Sequence, residues 1–167
     1  MTDATGLLAR EQIQQTLRRY SQGLDQRDWS LFLSAFTEDA LVEAPGWLEA
    51  PISPRGFAEA LAGAFDTARL SGQHLLANTL YDIRGDTAHT ITEFLASNTE
   101  RAEEPGKVVL QHAGGLYVDD LARDGGSWRI RHRVLVQKSD NRRVVDYAPE
   151  TFDLVAGAAR NSAVAGF

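Results

Sequence analysis

The chain has 167 residues, 43% hydrophobic and 24% charged, a balance that suits one soluble domain with a core of its own. Its 23 acidic residues outnumber 17 lysines and arginines, and the resulting charge of −6 argues against general binding to a phosphate backbone. No cysteine is present, which excludes disulfides, thiolate nucleophiles, iron–sulfur clusters and cysteine-ligated zinc.

The N-terminus shows no basic segment followed by an apolar run, so no secretory signal is expected. No apolar stretch approaches the roughly 20 residues of a membrane helix. A cytoplasmic protein without membrane or nucleic-acid partners is the expectation. In chain order, Ile13, Leu17, Tyr20 and Leu24 recur at steps of four, three and four and predict one amphipathic helix. A second, short helix is expected over Asp28 to Phe36, capped by Asp28 or Ser30. Thr37, Glu38 and Asp39 then read as a turn, and Leu41 to Ala44 as a short strand. Ser53 and Pro54 announce a third helix, with a stripe of Phe57, Leu61 and Phe65 and an end near Gly72.

The second half reads as four strands, residues 73–83, 87–99, 107–122 and 127–138. Gly85–Asp86 and Asp124–Gly125–Gly126 supply hairpin turns, and Arg101 to Gly106 a longer loop. Gly114–Gly115 reads as a bulge or bend. Alternation of Trp128, Ile130, His132, Val134 and Val136 with arginines predicts a half-buried strand. A helix is possible from Glu150 to Ala159. Helices followed by a strand meander predict an α+β fold whose curved antiparallel sheet wraps the helices around a concave pocket.

Several polar residues stand where they can serve such a pocket. Asp25 follows the last apolar residue of the first helix, and Tyr20 lies five residues before it. Each also has a structural explanation, a capping aspartate and a core tyrosine. His74, Leu76 and Asn78 share one face of the first long strand. His112 shares a face with Val108, Leu110 and Leu116, and His132 with Trp128, Ile130 and Val134, so both read as interior. His89 lacks such context. Histidine exchanges protons near neutrality, and a carboxylate on one ring nitrogen fixes the tautomer of the other. One Asp and one His in a cavity therefore suffice to take a proton beside a carbonyl. Tyr20 or His112 is a candidate proton donor on the opposite wall. No HExxH, EF-hand, P-loop, GxGxxG or GxSxG motif occurs.

The run Arg19–Tyr20–Ser21–Gln22–Gly23–Leu24–Asp25–Gln26–Arg27–Asp28–Trp29, then Phe36–Thr37–Glu38–Asp39–Ala40, resembles the opening of SnoaL-like proteins of the nuclear transport factor 2-like superfamily. Gln73–His74 with Asn78, and Gly126–Ser127–Trp128–Arg129–Ile130, resemble that family's later motifs, so the likeness spans roughly residues 8 to 138. Scytalone dehydratase-like proteins are the most similar group. The resemblance implies a cone-shaped α+β barrel over residues 1–140 and a tail, 141–167, that covers the pocket. It implies Asp25, His74 and His112, with Tyr20, as catalytic residues. Asn78, Trp47, Phe57, Leu24 and His132 are then the residues expected around the substrate. The implied reaction is an elimination or isomerisation of a small hydrophobic cyclic or aromatic molecule, without metal or cofactor, in a homodimer or homotrimer. Two rival readings share the fold: the non-catalytic small (beta) subunit of a ring-hydroxylating dioxygenase, and a small-molecule-binding module.

Overall fold

Helix α1 (Ala4–Gln26) buries the stripe expected of it, with Ile13, Leu17, Tyr20 and Leu24 all at 5% exposure or less. Each aliphatic side chain so placed contributes about 1.5–3 kcal/mol before the entropic cost of ordering it. Residues 4–146 are described by the structure, a computed structural model. The helix ends where Arg27 takes a left-handed conformation (φ 58°). Gly23 lets the next element close in, since a Cβ there would lie 2.4 Å from the backbone nitrogen of Phe32.

That element is α2 (Trp29–Leu33), capped by the Asp28 carboxylate, which accepts from the Leu31 N–H. It is shorter than the sequence suggests, because Phe36 already belongs to β1 (Phe36–Glu43). The turn expected at Thr37–Asp39 is therefore strand. Glu38 and Asp39 are polar because they lie on an exposed edge strand, not because the chain reverses there. Helix α3 (Pro54–Ala68) begins at Ser53, whose hydroxyl accepts from the Gly56 N–H. It ends at Ala68 rather than near Gly72, as Arg69 turns extended and opens β2 (Arg69–Arg84).

Strands β2, β3 (Thr87–Arg101), β4 (Lys107–Asp124) and β5 (Ser127–Asp146) form an antiparallel meander, and β1 joins β5 in parallel. The order is β1-β5-β4-β3-β2, so the curved sheet has two free edges and does not close. The helices lie against one face. Thr16 donates to the Trp128 carbonyl at 2.7 Å, and Gln14 to Thr79 at 3.0 Å and to the Tyr81 hydroxyl. Strand β5 runs through Asp146, so residues 141–146, expected in the tail, belong to the sheet. The remainder of that tail and the helix expected over Glu150 to Ala159 lie outside the described residues.

Three irregularities decide which side chains face the helices. In β2 the register shifts between Ala77 and Leu80, with Asn78 left-handed (φ 51°). In β5, Arg131 is an extra residue between Ile130 and His132 opposite Leu121 and Asp120, and Lys138 is another, opposite Gly114–Gly115. The bulge expected at the paired glycines is present, with the extra residue in the partner strand. Each such insertion flips the alternation beyond it.

Candidate active site

Strand β2 is a sheet edge, so every second N–H points away from β3 and needs another partner. At His74 that partner is Asp25, whose Oδ2 accepts the backbone N–H at 2.7 Å. Its Oδ1 lies 2.5 Å from His74 Nδ1. An ionised carboxylate can only accept, so Nδ1 carries the hydrogen, and in the neutral ring Nε2 holds the lone pair. Nε2 has no protein partner among the described residues. Both side chains are nearly enclosed, 7% exposed for His74 and 8% for Asp25. The Phe94 ring lies 6.2 Å from the imidazole and stacks at 4.5 Å on Tyr117, which meets Tyr20 edge-on at 5.3 Å. The pair is thus held on a wall of packed aromatics.

Tyr20 stands behind this wall, 1% exposed among Phe32, Phe36 and Tyr117. Burial raises its pKa, although Arg133 beside the hydroxyl pulls the other way. Tyr117 is raised well above the usual phenol value by burial and by Tyr20, with a contribution from the charge of Asp25. Arg133 is fully buried and packs on both rings, 3.9 Å from Tyr20 and 4.1 Å from Tyr117. It donates to both oxygens of Asp119, Nε at 2.6 Å and Nη2 at 2.7 Å. Burial opposes its charge, but Asp119 outweighs this and the guanidinium is held above the usual arginine value.

On the same inner face, the register sets Gly72, Asn98, Gln111 and Arg142 in one row and His74, Ala96, Ala113 and Asp140 in the next. Arg69 stacks on Phe65 at 3.4 Å. Burial lowers it to about 10, against the pull of Glu100 and Asp25. No three His, Asp or Glu residues gather at metal-binding spacing among the described residues.

Residues 5–134 match the family model of the SnoaL-like domain. The chain belongs to the SnoaL-like family. This SnoaL-like protein is 30% identical over 132 residues to terrestric acid biosynthesis cluster protein E of Penicillium crustosum, covering 75% of the chain and 81% of the relative. Its fold is that of a scytalone dehydratase-like protein of Novosphingobium aromaticivorans (TM-score 0.71, 23% identity, 89% of this chain and 93% of the other). It is also that of hexachlorocyclohexane dehydrochlorinase LinA-type3 of Novosphingobium barchaimii (TM-score 0.67, 18% identity, 82% and 91%). At such identities these structures establish the architecture.

Of the residues singled out in the sequence, the SnoaL-like fold brings Asp25 and His74 into direct contact, with Tyr20 behind them. His112 is exposed on the outer face, opposite Ser97 and Asn141, so the interior position expected for it is corrected. Both faces of β4 carry apolar residues, and the inner one holds Gln111, Ala113, Gly115 and Tyr117. Asn78 is turned outward by its own bulge and donates to Glu93. His132 also faces outward, because Arg131 is inserted before it, and bonds to Glu43 at 2.7 Å. Leu24 and Phe57 are core residues, 5% and 3% exposed. Trp47 is more than half exposed, its indole donating to Gln137 at 2.8 Å. A hollow of about 650 Å³ opens at the hairpin end of the outer face, lined by Asp82, His89, Asp120 and His132. It is separate from Asp25 and His74, and its two histidines are engaged by Asp120 and Glu43. The inner-face positions of Asn98 and Arg133 were not legible in the sequence, since the bulges and the cross-strand register set them.

Proposed function

We propose that the protein is a cofactor-independent lyase or isomerase that removes a proton from an acidic C–H of a small cyclic substrate. The observation that carries this reading is the double hold of Asp25 on His74, which fixes the ring and leaves Nε2 as the base. The C–H proton passes to Nε2 and the bonding electrons move toward a neighbouring carbonyl as an enolate. Positive charge developing on the imidazole is faced by the Asp25 carboxylate, as in a triad. The enolate then either expels a group from the adjacent carbon, which leaves with the proton from His74, or takes that proton back at another carbon. The first outcome is elimination, the second isomerisation, and both balance without a cofactor. Membership of the SnoaL-like family supports the reading. The name of the Penicillium relative ties that protein to the biosynthesis of a small natural product, which supports a substrate of that kind.

The test is deuterium exchange at the carbon beside the carbonyl of cyclic ketones, followed by NMR in heavy water. The wild-type protein is expected to accelerate exchange, and His74→Ala to abolish the acceleration. Exchange at the wild-type rate in folded His74→Ala, or none above background in the wild type, overturns the assignment.

A further inference from the structure

The outer face of the sheet, turned away from the helices and from His74, carries an apolar patch of its own. Leu75 and Leu95 are cross-strand partners there, 58% and 65% exposed, and Leu80 of β2 is 68% exposed. Val136 of β5 is 38% exposed, and the paired Val118 and Val134 lie half-buried beside it. Large apolar side chains left open side by side across four strands mark a surface that binds something. Glu93 stands within this patch. Its carboxylate accepts from Asn78 Nδ2 at 3.1 Å and from Lys138 Nζ at 3.3 Å. Both donors come from irregular positions, a left-handed asparagine (φ 51°) and the extra residue of β5. Water alone solvates a surface glutamate. Two irregularities that turn partners onto one carboxylate suit a charge that is to be covered.

We propose that this face docks on the same face of a second copy of the chain. The area fits. Strands lie about 4.8 Å apart and same-face residues about 7 Å apart, so three rows over four strands span roughly 400 Å² in projection. The polar rows on either side, through Asp120 and through Ser97, bring this to roughly 600 Å². Side-chain relief carries that toward the about 800 Å² per partner of a standard interface, and an apolar centre with a polar rim is the expected anatomy. The charges fit as well. At the hairpin end of the face, Asp39, Asp82, Asp120 and Glu43 outnumber Arg84 and Arg131, four carboxylates against two arginines. The opposite end of the same face presents Arg101 and Arg143. A two-fold axis lying in the interface and crossing the strands reverses one copy against the other. Each acidic end then meets a basic end, and apolar centre meets apolar centre. A second copy thus supplies both the apolar cover and the complementary charge.

Light scattering and sedimentation velocity on the full chain read the mass directly. The wild type is expected at twice the 18.3 kDa of one chain. Leu75→Lys with Leu95→Lys, which sets two charges in the patch, should halve that mass. Leu7→Lys with Leu8→Lys, on exposed residues of α1, should leave it unchanged. Circular dichroism checks that both double variants fold. A cysteine-free chain offers a second, milder test. Leu95→Cys should react with a maleimide more slowly than Leu8→Cys, although a single chain exposes the two positions about alike, 65% and 57%. A wild type at the mass of one chain or of three overturns the proposal. So does a doubled mass that survives in the folded Leu75→Lys, Leu95→Lys variant, and so do equal rates of labelling at the two positions.

Discussion

Asp25 holds His74 at two points, accepting the backbone N–H at 2.7 Å and facing the ring Nδ1 at 2.5 Å. The first contact satisfies an edge-strand donor and fixes the position of the strand. The second fixes the ring. Asp25→Asn preserves the shape but offers an amide that can donate to Nδ1, and so selects the tautomer with hydrogen on Nε2. Exchange activity should fall by about 10²–10⁴-fold, with the fold retained. Nitrogen NMR of the imidazole should show the hydrogen moved from Nδ1 to Nε2. Unchanged activity, or an unchanged tautomer with lost activity, removes this role from Asp25.

Arg133 and Asp119 make a bidentate pair with both side chains fully buried. Removing one partner leaves the other charged in the core. Arg133→Met should cost about 3–5 kcal/mol, and the double variant Arg133→Met with Asp119→Leu should cost less than the single one. Urea denaturation of the three proteins measures this. A single variant as stable as the wild type contradicts the buried-pair geometry.

The outward position of His112 makes a prediction opposite to that of the sequence resemblance. His112→Ala should exchange cyclic ketones at close to the wild-type rate and change stability by no more than about 0.5 kcal/mol. His132→Ala should likewise spare the rate, because its partner Glu43 lies on the outer face with it. A hundredfold loss in either variant would place that histidine in the chemistry.

Tyr20 and Tyr117 are neutral when protonated, and burial raises both above the value of 10.0 for a free phenol. The unfolded chain therefore loses these protons first as the solution becomes alkaline. Their contribution to stability is complete below pH 10 and is lost as pH rises beyond it toward the folded values. Thermal melts across this range should show the decline, and tyrosinate absorbance from these two residues should lag behind that of an exposed tyrosine. Tyr20→Phe with Tyr117→Phe should flatten the decline.

Much of the fold was legible because its signals are local. The stripe of α1, the Ser53 cap and the Gly85 and Gly125–Gly126 turns each depend on residues within a few positions of one another. The pairing of Asp25 with His74 was legible only through resemblance, since 49 residues separate them and each alone has a simpler explanation. Thr37 to Asp39 misled because an exposed edge strand and a turn favour the same polar residues.

The amino-acid sequence by itself determined the elements, their order, the family and the two residues most suited to proton transfer. Tertiary structure decided which way the strands face. One residue inserted at Arg131 turns Arg133 inward and His132 outward, and the insertion at Asn78 removes that side chain from the pocket. A bulge is an agreement between two strands, and neither strand announces it alone. The same is true of Asn98, which crowds over Gly72 only because β2 and β3 pair in this register.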